Sequence, residues 1–443
     1  MRRGGIGEGG SLGERDGGSA GGRLTIGVAR ETAAGERRVG LIPDAVKRLT
    51  GSGAFVLVEA GAGEEAGVAD AAYEEAGATI VPNAAELYRR ADLAIKVQRP
   101  SDDEVPLLPD GSALIALLAP LSNGELVQAL AAKGITAFSM DAIPRITRAQ
   151  SMDVLSSQST VAGYKAVLLA ADHLPRFFPM LTTAAGSITP AKVLVVGAGV
   201  AGLQAIATAR RLGAVVEAYD TRPVVKEQVE SLGARFVEID TGQTDAQDVG
   251  GYAKEASADV LRRQQEKLAE RAARSDVVIT TALVPGRPAP RLISAETVRQ
   301  MRPGSVIVDL AAETGGNCEL TEPGEVVVRE GVTVIGLLNL PSTMPVHASQ
   351  MYSKNVQNLL ALLVKEGRFV PDFADAVVKG TCITRGGEVV HEATRQRLGL
   401  DGTASAPTPT PVAEPAQGQE LAAATNPEAA GDPGRAAEVA RGD

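Results

Sequence analysis

The stretch VLVVGAGVAGLQAIATARRLGAVVEAYDTR, residues 193–222, decides how this chain folds. An apolar run of strand character leads into Gly197, Gly199 and Gly202, a G-x-G-x-x-G pattern, and an alanine-rich segment of helical composition follows. A second apolar run then ends at Asp220, 18 positions after the third glycine. The glycines alone are weak evidence. A strand before them, a helix after them and an acid closing the next strand make the dinucleotide fingerprint of a βαβ unit. In that reading Gly197 makes the tight turn, Gly199 lets the backbone approach a pyrophosphate, and Gly202 lets the helix pack on its strand. The helix N-terminus, whose amides lack intrahelical acceptors, holds the anion. Asp220 accepts hydrogen bonds from the adenosine ribose and repels a 2′-phosphate, favouring NAD(H) over NADP(H). Arg222 pulls the other way, because an arginine there pairs with a phosphate. The competing reading is a glycine turn in an α/β unit that binds nothing.

Working outward, the runs KVLVVGAG, VVEAYD, RFVEID, DVVITTA, SVIVDLA and VTVIGL predict an α/β unit of six strands from Lys192 to about residue 340. Upstream, LTIGVAR, FVLVEAG, DLAIKV, SALIALL and ITAFSMD alternate with alanine-rich segments such as 69–77 and 122–132, predicting another. A helix beginning near residue 148 lies between the two, and a long helix over roughly 350–366 follows the second. AVVKGTCITRGGEVV then reads as a hairpin turning at Arg385-Gly386-Gly387, so the chain returns to complete its first domain. The expected fold class is α/β, two doubly wound domains joined by long helices, the second a Rossmann dinucleotide-binding domain. Residues 1–22 are a flexible Gly-rich leader, and 23–160 with 345–400 form the first, discontinuous domain. Residues 161–344 form the dinucleotide domain, and 401–443, rich in Ala, Pro, Thr and Glu without period, a disordered tail.

Composition excludes several functions. A chain of 443 residues with net charge −10 lacks the basic surface a nucleic-acid binder needs. Its two cysteines, Cys318 and Cys382, are far apart, and His173, His347 and His391 are scattered, so no metal site is expected. No run approaches 18 apolar residues, so no transmembrane segment is expected either. The N-terminus has arginines but no apolar core and is not a signal peptide.

One further stretch is chemically odd. RITRAQSMDVLSSQST, residues 145–160, is rich in short polar side chains; at helical spacing Gln150, Asp153, Ser157 and Thr160 share a face. It holds amides, hydroxyls, one carboxylate and Arg145, but no histidine, cysteine or lysine. Its bland reading is a capping box, Thr147 with Gln150, followed by an exposed face.

Over about residues 23–395 the chain resembles the NAD(H)-binding domain of proton-translocating NAD(P) transhydrogenase. The stretches RITRAQSMDVLSSQSTVAGYKAV, GAGVAGLQAIATARRLGA, KEQVESLGARF, GGYAKE, ITTALVPGRPAP and DLAAETGGNCELTEPG carry the resemblance, collinearly. It implies that Arg145, Gln150, Asp153 and Ser156 meet the nicotinamide, and that Val200, Asp220, Thr221 and Arg222 hold the pyrophosphate and adenosine ribose. It places Gly251 and Tyr252 in a mobile loop, TGQTDAQDVGGYAKE, closing over the nucleotide. A plain polar excursion is the alternative for that loop. Hydride transfer between two nicotinamides moves no proton at the reacting carbons, so positioning groups suffice and a missing general base is what the reaction predicts.

The rival is alanine dehydrogenase, which resembles this family across both domains and needs a lysine and a histidine. Here Gln98 stands in place of the lysine, and Ala119 or a neighbour in place of the histidine; Arg38, which would bind a carboxylate in that enzyme, remains. A non-catalytic NAD-sensing module is a further alternative. The resemblance implies NADP(H) as co-substrate on a beta subunit within a membrane-embedded, proton-conducting assembly, and a homodimer. It implies a separate soluble subunit, cytoplasmic and peripheral on the inner membrane.

Overall fold

Apolar runs buried on both faces build two mainly parallel sheets, as expected for doubly wound domains. The computed structural model describes residues 23–238, 258–283 and 287–400, which belong to one compact unit. In the first sheet the strands are β1 (Thr25–Val28), β2 (Phe55–Glu59), β3 (Thr79–Val81), β4 (Leu93–Gln98), β5 (Ala113–Leu117) and β6 (Thr136–Ser139). In the second they are β7 (Lys192–Val196), β8 (Val215–Tyr219), β9 (Arg235–Phe236), β10 (Val277–Thr280), β11 (Val306–Asp309), β12 (Val326–Arg329) and β13 (Val332–Ile335). The chain then returns to the first sheet with β14 (Cys382–Arg385) and β15 (Glu388–Val389). The first order is β15-β14-β6-β5-β4-β1-β2-β3 and the second β9-β8-β7-β10-β11-β13-β12. Both therefore contain the 3-2-1-4-5 order, with the crevice of a switch point beside the first strand of each.

Alternation along the strands divides each domain's core in two. Leu93, Ile95 and Val97 face one core with Tyr352, Val356 and Leu359, while Ala94 faces another with Leu87 and Leu130. In the second sheet Val193 and Val195 pack with Ala205 and Ile206, and Leu194 and Val196 with Leu268 and Val298.

One long helix joins these cores. Helix Val154–His173 begins in the first core through Val154 and ends in the second through Ala166, Val167 and Ala170. A fully buried valine is worth about 1.5–3 kcal/mol, and one stands near each end, so both ends of the helix are anchored. Midway, a Cβ on Gly163 would sit 2.1 Å from the Ala201 carbonyl oxygen, which is how closely this helix meets helix Val200–Arg211.

Several expectations need correction. The second sheet has seven strands, not six: VVVREGVTVIG is a hairpin through Glu330 and Gly331, both with positive φ, and β12 runs antiparallel at the edge. The late helix is Pro345–Leu363 rather than 350–366, because a proline opens it at the first helical position. AVVKGT begins as a helix, Ala376–Thr381, capped by Asp375; only β14 and β15, turning through Gly386 and Gly387, form the hairpin. The helix placed near residue 148 starts at Val154, and 147–152 is a 3₁₀ turn without a side-chain cap, so there is no Thr147–Gln150 capping box.

Candidate nucleotide site

At the second switch point the glycine loop is fixed from three sides. Gly197 takes φ +99, donates its N–H to the Tyr219 carbonyl at 2.8 Å, and accepts at its own carbonyl from Thr281 Oγ1 at 3.1 Å. A Cβ on Gly202 would lie 1.8 Å from that same carbonyl oxygen, so helix and loop touch backbone to backbone. Gly199 differs: a Cβ there would meet nothing nearer than Arg222 Nη2 at 4.0 Å. The loop therefore leaves open space at the one glycine assigned to a phosphate. Gly199 is the N-cap of helix Val200–Arg211, no side chain caps it, and Val200 is exposed. First-turn amides facing open space are what an anion requires.

Asp220 closes this cradle. Its Oδ2 accepts from the Ala198 N–H at 2.7 Å, which ties this carboxylate to the loop itself. Arg222 forks onto it, Nε to Oδ1 and Nη2 to Oδ2, both at 2.9 Å. The hydrogen bond to Asp220 holds the Arg222 guanidinium above its ordinary pKa, against the opposing effect of burial. The arginine read as a candidate partner of a 2′-phosphate is engaged by this carboxylate. Thr221 lies half-buried between them. Gly197, Gly199, Val200, Gly202, Asp220, Thr221 and Arg222 all meet at this switch point.

The residues expected at the nicotinamide form a second group. Asp153 is the N-cap of helix Val154–His173: Oδ1 accepts from the Ser156 N–H at 3.0 Å and Oδ2 from its Oγ at 2.6 Å. Gln150 is exposed on the 3₁₀ turn, and Arg145 is exposed just before it. The hydroxyls of Ser157 and Thr160 are engaged within the protein: Ser157 Oγ bonds Asn355 Oδ1 at 2.7 Å, and Thr160 Oγ1 bonds the Ser156 carbonyl at 3.1 Å. The four-residue helical face read from spacing is broken at Gln150, which lies on the 3₁₀ turn before the helix. Asp153 precedes Gly163 by ten residues, about 15 Å at 1.5 Å per residue. The polar turn therefore lies about 15 Å along this helix from its contact with Ala201. Gly251 and Tyr252 lie outside the described residues.

Sequence reasoning missed what holds these groups. Asn355 and Asn358 both donate to the Ser151 carbonyl, at 2.9 and 2.8 Å, and Arg148 forks onto Asp375 at 2.6 and 3.0 Å. Asn317 brackets Ala282, accepting its N–H at 3.0 Å and donating to its carbonyl at 2.9 Å. Thr281 and Asn317 lie within stretches that carried the family resemblance; Asn355 and Asn358 gave no local signal.

The first switch point is filled by protein. Arg38 and Glu36 form a buried ion pair at 2.6 Å, and Gln98 Nε2 donates to Glu36 Oε2 at 2.8 Å. Burial would raise Glu36, but the hydrogen bonds and charge of Arg38 prevail and hold it down to about 2. Lys96 is wholly buried against Glu104 at 2.7 Å and Glu31 at 3.7 Å; burial pushes Glu31 up to about 7 despite that lysine. Ala119 takes a left-handed φ of +44. Burial also pushes the thiols of Cys318 and Cys382 up, to about 11 and about 12, which removes both as nucleophiles.

A doubly wound chain with an open glycine loop at a helix N-terminus and an acid closing the next strand has the build of the nucleotide-dependent oxidoreductases. Likeness to known proteins narrows this. Residues 27–162 match the model of the alanine dehydrogenase/PNT N-terminal domain, and residues 166–392 that of the corresponding C-terminal domain. An NAD(P) transhydrogenase alpha-subunit chain of Rhodospirillum rubrum is 49% identical over 378 residues, 84% of this chain and 98% of that protein. A solved transhydrogenase from Sinorhizobium meliloti is 45% identical, with a TM-score of 0.73 over 83% of this chain and 99% of that one. Alanine dehydrogenase of Bacillus subtilis is 30% identical over 389 residues, 85% of this chain and 96% of that protein. The chain belongs to the NAD(P) transhydrogenase alpha-subunit family, within the alanine dehydrogenase/PNT group.

Proposed function

We propose that this chain binds NAD(H) and transfers a hydride between it and NADP(H) held by a partner subunit, in an assembly that couples the transfer to proton translocation. The observation that carries this is the pairing of an open dinucleotide cradle with a polar turn of positioning groups, beside a neighbouring crevice filled by its own ion pair. When bound, the dihydronicotinamide supplies the hydride. The chain's own residues do the rest. First-turn amides beyond Gly199 receive the pyrophosphate, Asp220 holds the ribose, and Gln150, Asp153 and Ser156 orient the ring. Arg38, engaged by Glu36, is not presented to a substrate carboxylate, and Gln98 moves no proton; both weigh against an amino-acid dehydrogenase.

The finer reading extends to the assembly. A beta subunit would hold NADP(H), and the chain would sit on the cytoplasmic face of the inner membrane. Among the described residues no helix is long and apolar enough to cross a membrane. A homodimer is supported by the exposed apolar side chains Phe177, Met180 and Ile188 on and beside the hairpin Leu181–Thr183 with Gly186–Ile188.

Two results test this. Alone, the chain leaves NADP untouched; with an NADP(H)-binding partner, deuterium on C4 of NADH appears in NADPH undiluted by solvent. Label lost to water, or steady NADH oxidation by clean protein with pyruvate and ammonia, would overturn the proposal. Nucleotide choice is separately measurable: the chain binds NADH well above NADPH by calorimetry. Asp220→Ala removes a charged hydrogen-bond partner worth about 1.5–3 kcal/mol and releases Arg222, so NADH binding weakens about tenfold or more and the preference narrows. Equal affinity of the unmodified chain for both nucleotides would sink the assignment.

A further inference from the structure

Glu36, Arg38, Gln158 and Asn339 bind one another where the segments after β1 and β13 come together with helix Val154–His173. We infer that they form a positioning joint, setting the start of helix Val154–His173, and with it the nicotinamide end of the site, against the nucleotide-binding sheet; this rests on the function proposed above.

The geometry runs in one chain from sheet to sheet. Glu313, just beyond β11, accepts the Asn339 N–H at 2.9 Å. Asn339, just beyond β13, donates Nδ2 to Glu36 Oε2 at 2.9 Å and accepts from Arg38 Nη2 at 3.0 Å. Glu36 and Arg38 stand on the loop after β1, and Gln98 ends β4; both strands are central in the first sheet. Arg38 Nη1 then reaches Gln158 Oε1 at 2.8 Å, five residues beyond the cap Asp153. Gln158 Nε2 goes on to the Ala348 carbonyl at 3.1 Å. Asn339 adopts φ +48 and ψ +46, a left-handed conformation tolerated by asparagine, so its amide is aimed by the backbone. Arg38 spends its guanidinium on three side chains of the protein, which makes it a structural member rather than a ligand-binding one. Gln158 is about 7.5 Å along the axis from Asp153, so a shift at the joint carries the cap, and Ser156 bonded to it, by a similar amount.

Breaking the buried ion pair would leave a charge unpaired and risk unfolding, so the neutral groups bonded to it give the test, Asn339 within the joint and Gln98 outside it. Asn339→Gly keeps the left-handed backbone and cuts the link between sheets. Gln98→Ala also removes one donor from Glu36 but cuts only a link inside the first sheet. With an NADP(H)-binding partner, N339G lowers kcat at least tenfold while NADH affinity by calorimetry moves less than threefold, and amides 153–158 exchange hydrogen faster. Q98A changes both quantities less than threefold. Should the glycine variant fail to fold, Asn339→Asp keeps the backbone preference and sets a carboxylate against Glu36, with the same loss expected. Full transfer by the Asn339 variant, or an equal loss in Q98A, overturns the inference. If the unmodified chain and partner transfer no hydride, the proposed function fails instead. Hydrogen exchange still judges the joint in that event, and unchanged exchange at 153–158 overturns it.

Discussion

Alanine in place of Asp153 lowers hydride transfer in the reconstituted system on the order of a hundredfold, while NADH affinity falls less than tenfold. Asp153 uses both carboxylate oxygens on Ser156, so it shapes the turn that carries Gln150 as well as capping the helix. Losing a cap costs about 1 kcal/mol of helix stability, which a helix seated in two hydrophobic cores survives. Rate is far more sensitive, because a misplacement of about 1 Å can cost a hundredfold. Asp153→Asn separates geometry from charge: asparagine caps as well as aspartate, so this variant retains turnover to within about tenfold, in line with the cap's energy. Gln150→Ala, which leaves the cap intact, also lowers turnover more than NADH binding. Stopped-flow transfer beside calorimetry decides. Unchanged turnover in Asp153→Ala and Gln150→Ala, or parallel losses of turnover and affinity, would show that the turn does not orient the ring.

Gly202→Ala removes NADH binding, lowering affinity more than a hundredfold. The added Cβ would stand 1.8 Å from the Gly197 carbonyl oxygen, and neither side can yield cheaply. Gly197 is held by its N–H to Tyr219, and the space behind it is taken by Thr281 Oγ1, 2.4 Å from where its own Cβ would be. Forcing atoms into such a contact costs about 1–3 kcal/mol or more and pushes the helix away from its strand, dispersing the amides that receive the pyrophosphate. Gly199→Ala is the informative partner. Its Cβ meets no protein atom closer than 4.0 Å, so the chain folds and melts normally. NADH binding is nonetheless lost to a similar degree, because the methyl group enters the space kept for the phosphates. Full NADH affinity in a folded Gly199→Ala chain would mean that the cradle assignment is wrong.

The sequence alone determined whatever depends on neighbours within a few turns. Short continuous apolar runs defined most strands of both sheets, and glycines at fixed offsets with an acid closing the next strand marked the candidate cradle. Local reading faltered where two short-range signals compete. Thr147 and Gln150 have capping-box spacing, yet the helix waits for Asp153, because Ala149 and Met152 are drawn into the first core and the segment tightens into a 3₁₀ turn. Val326–Arg329 escapes a local reading because its hairpin partner, not its own pattern, makes it a strand. Only the tertiary structure decided how the site is held. Arg38 meets Gln158 across 120 positions, and Glu36 meets Asn339 across 303. No periodicity encodes such pairs. They arise because the two sheets are joined by a helix that runs from one core into the other, and the polar groups buried at that junction must find partners there.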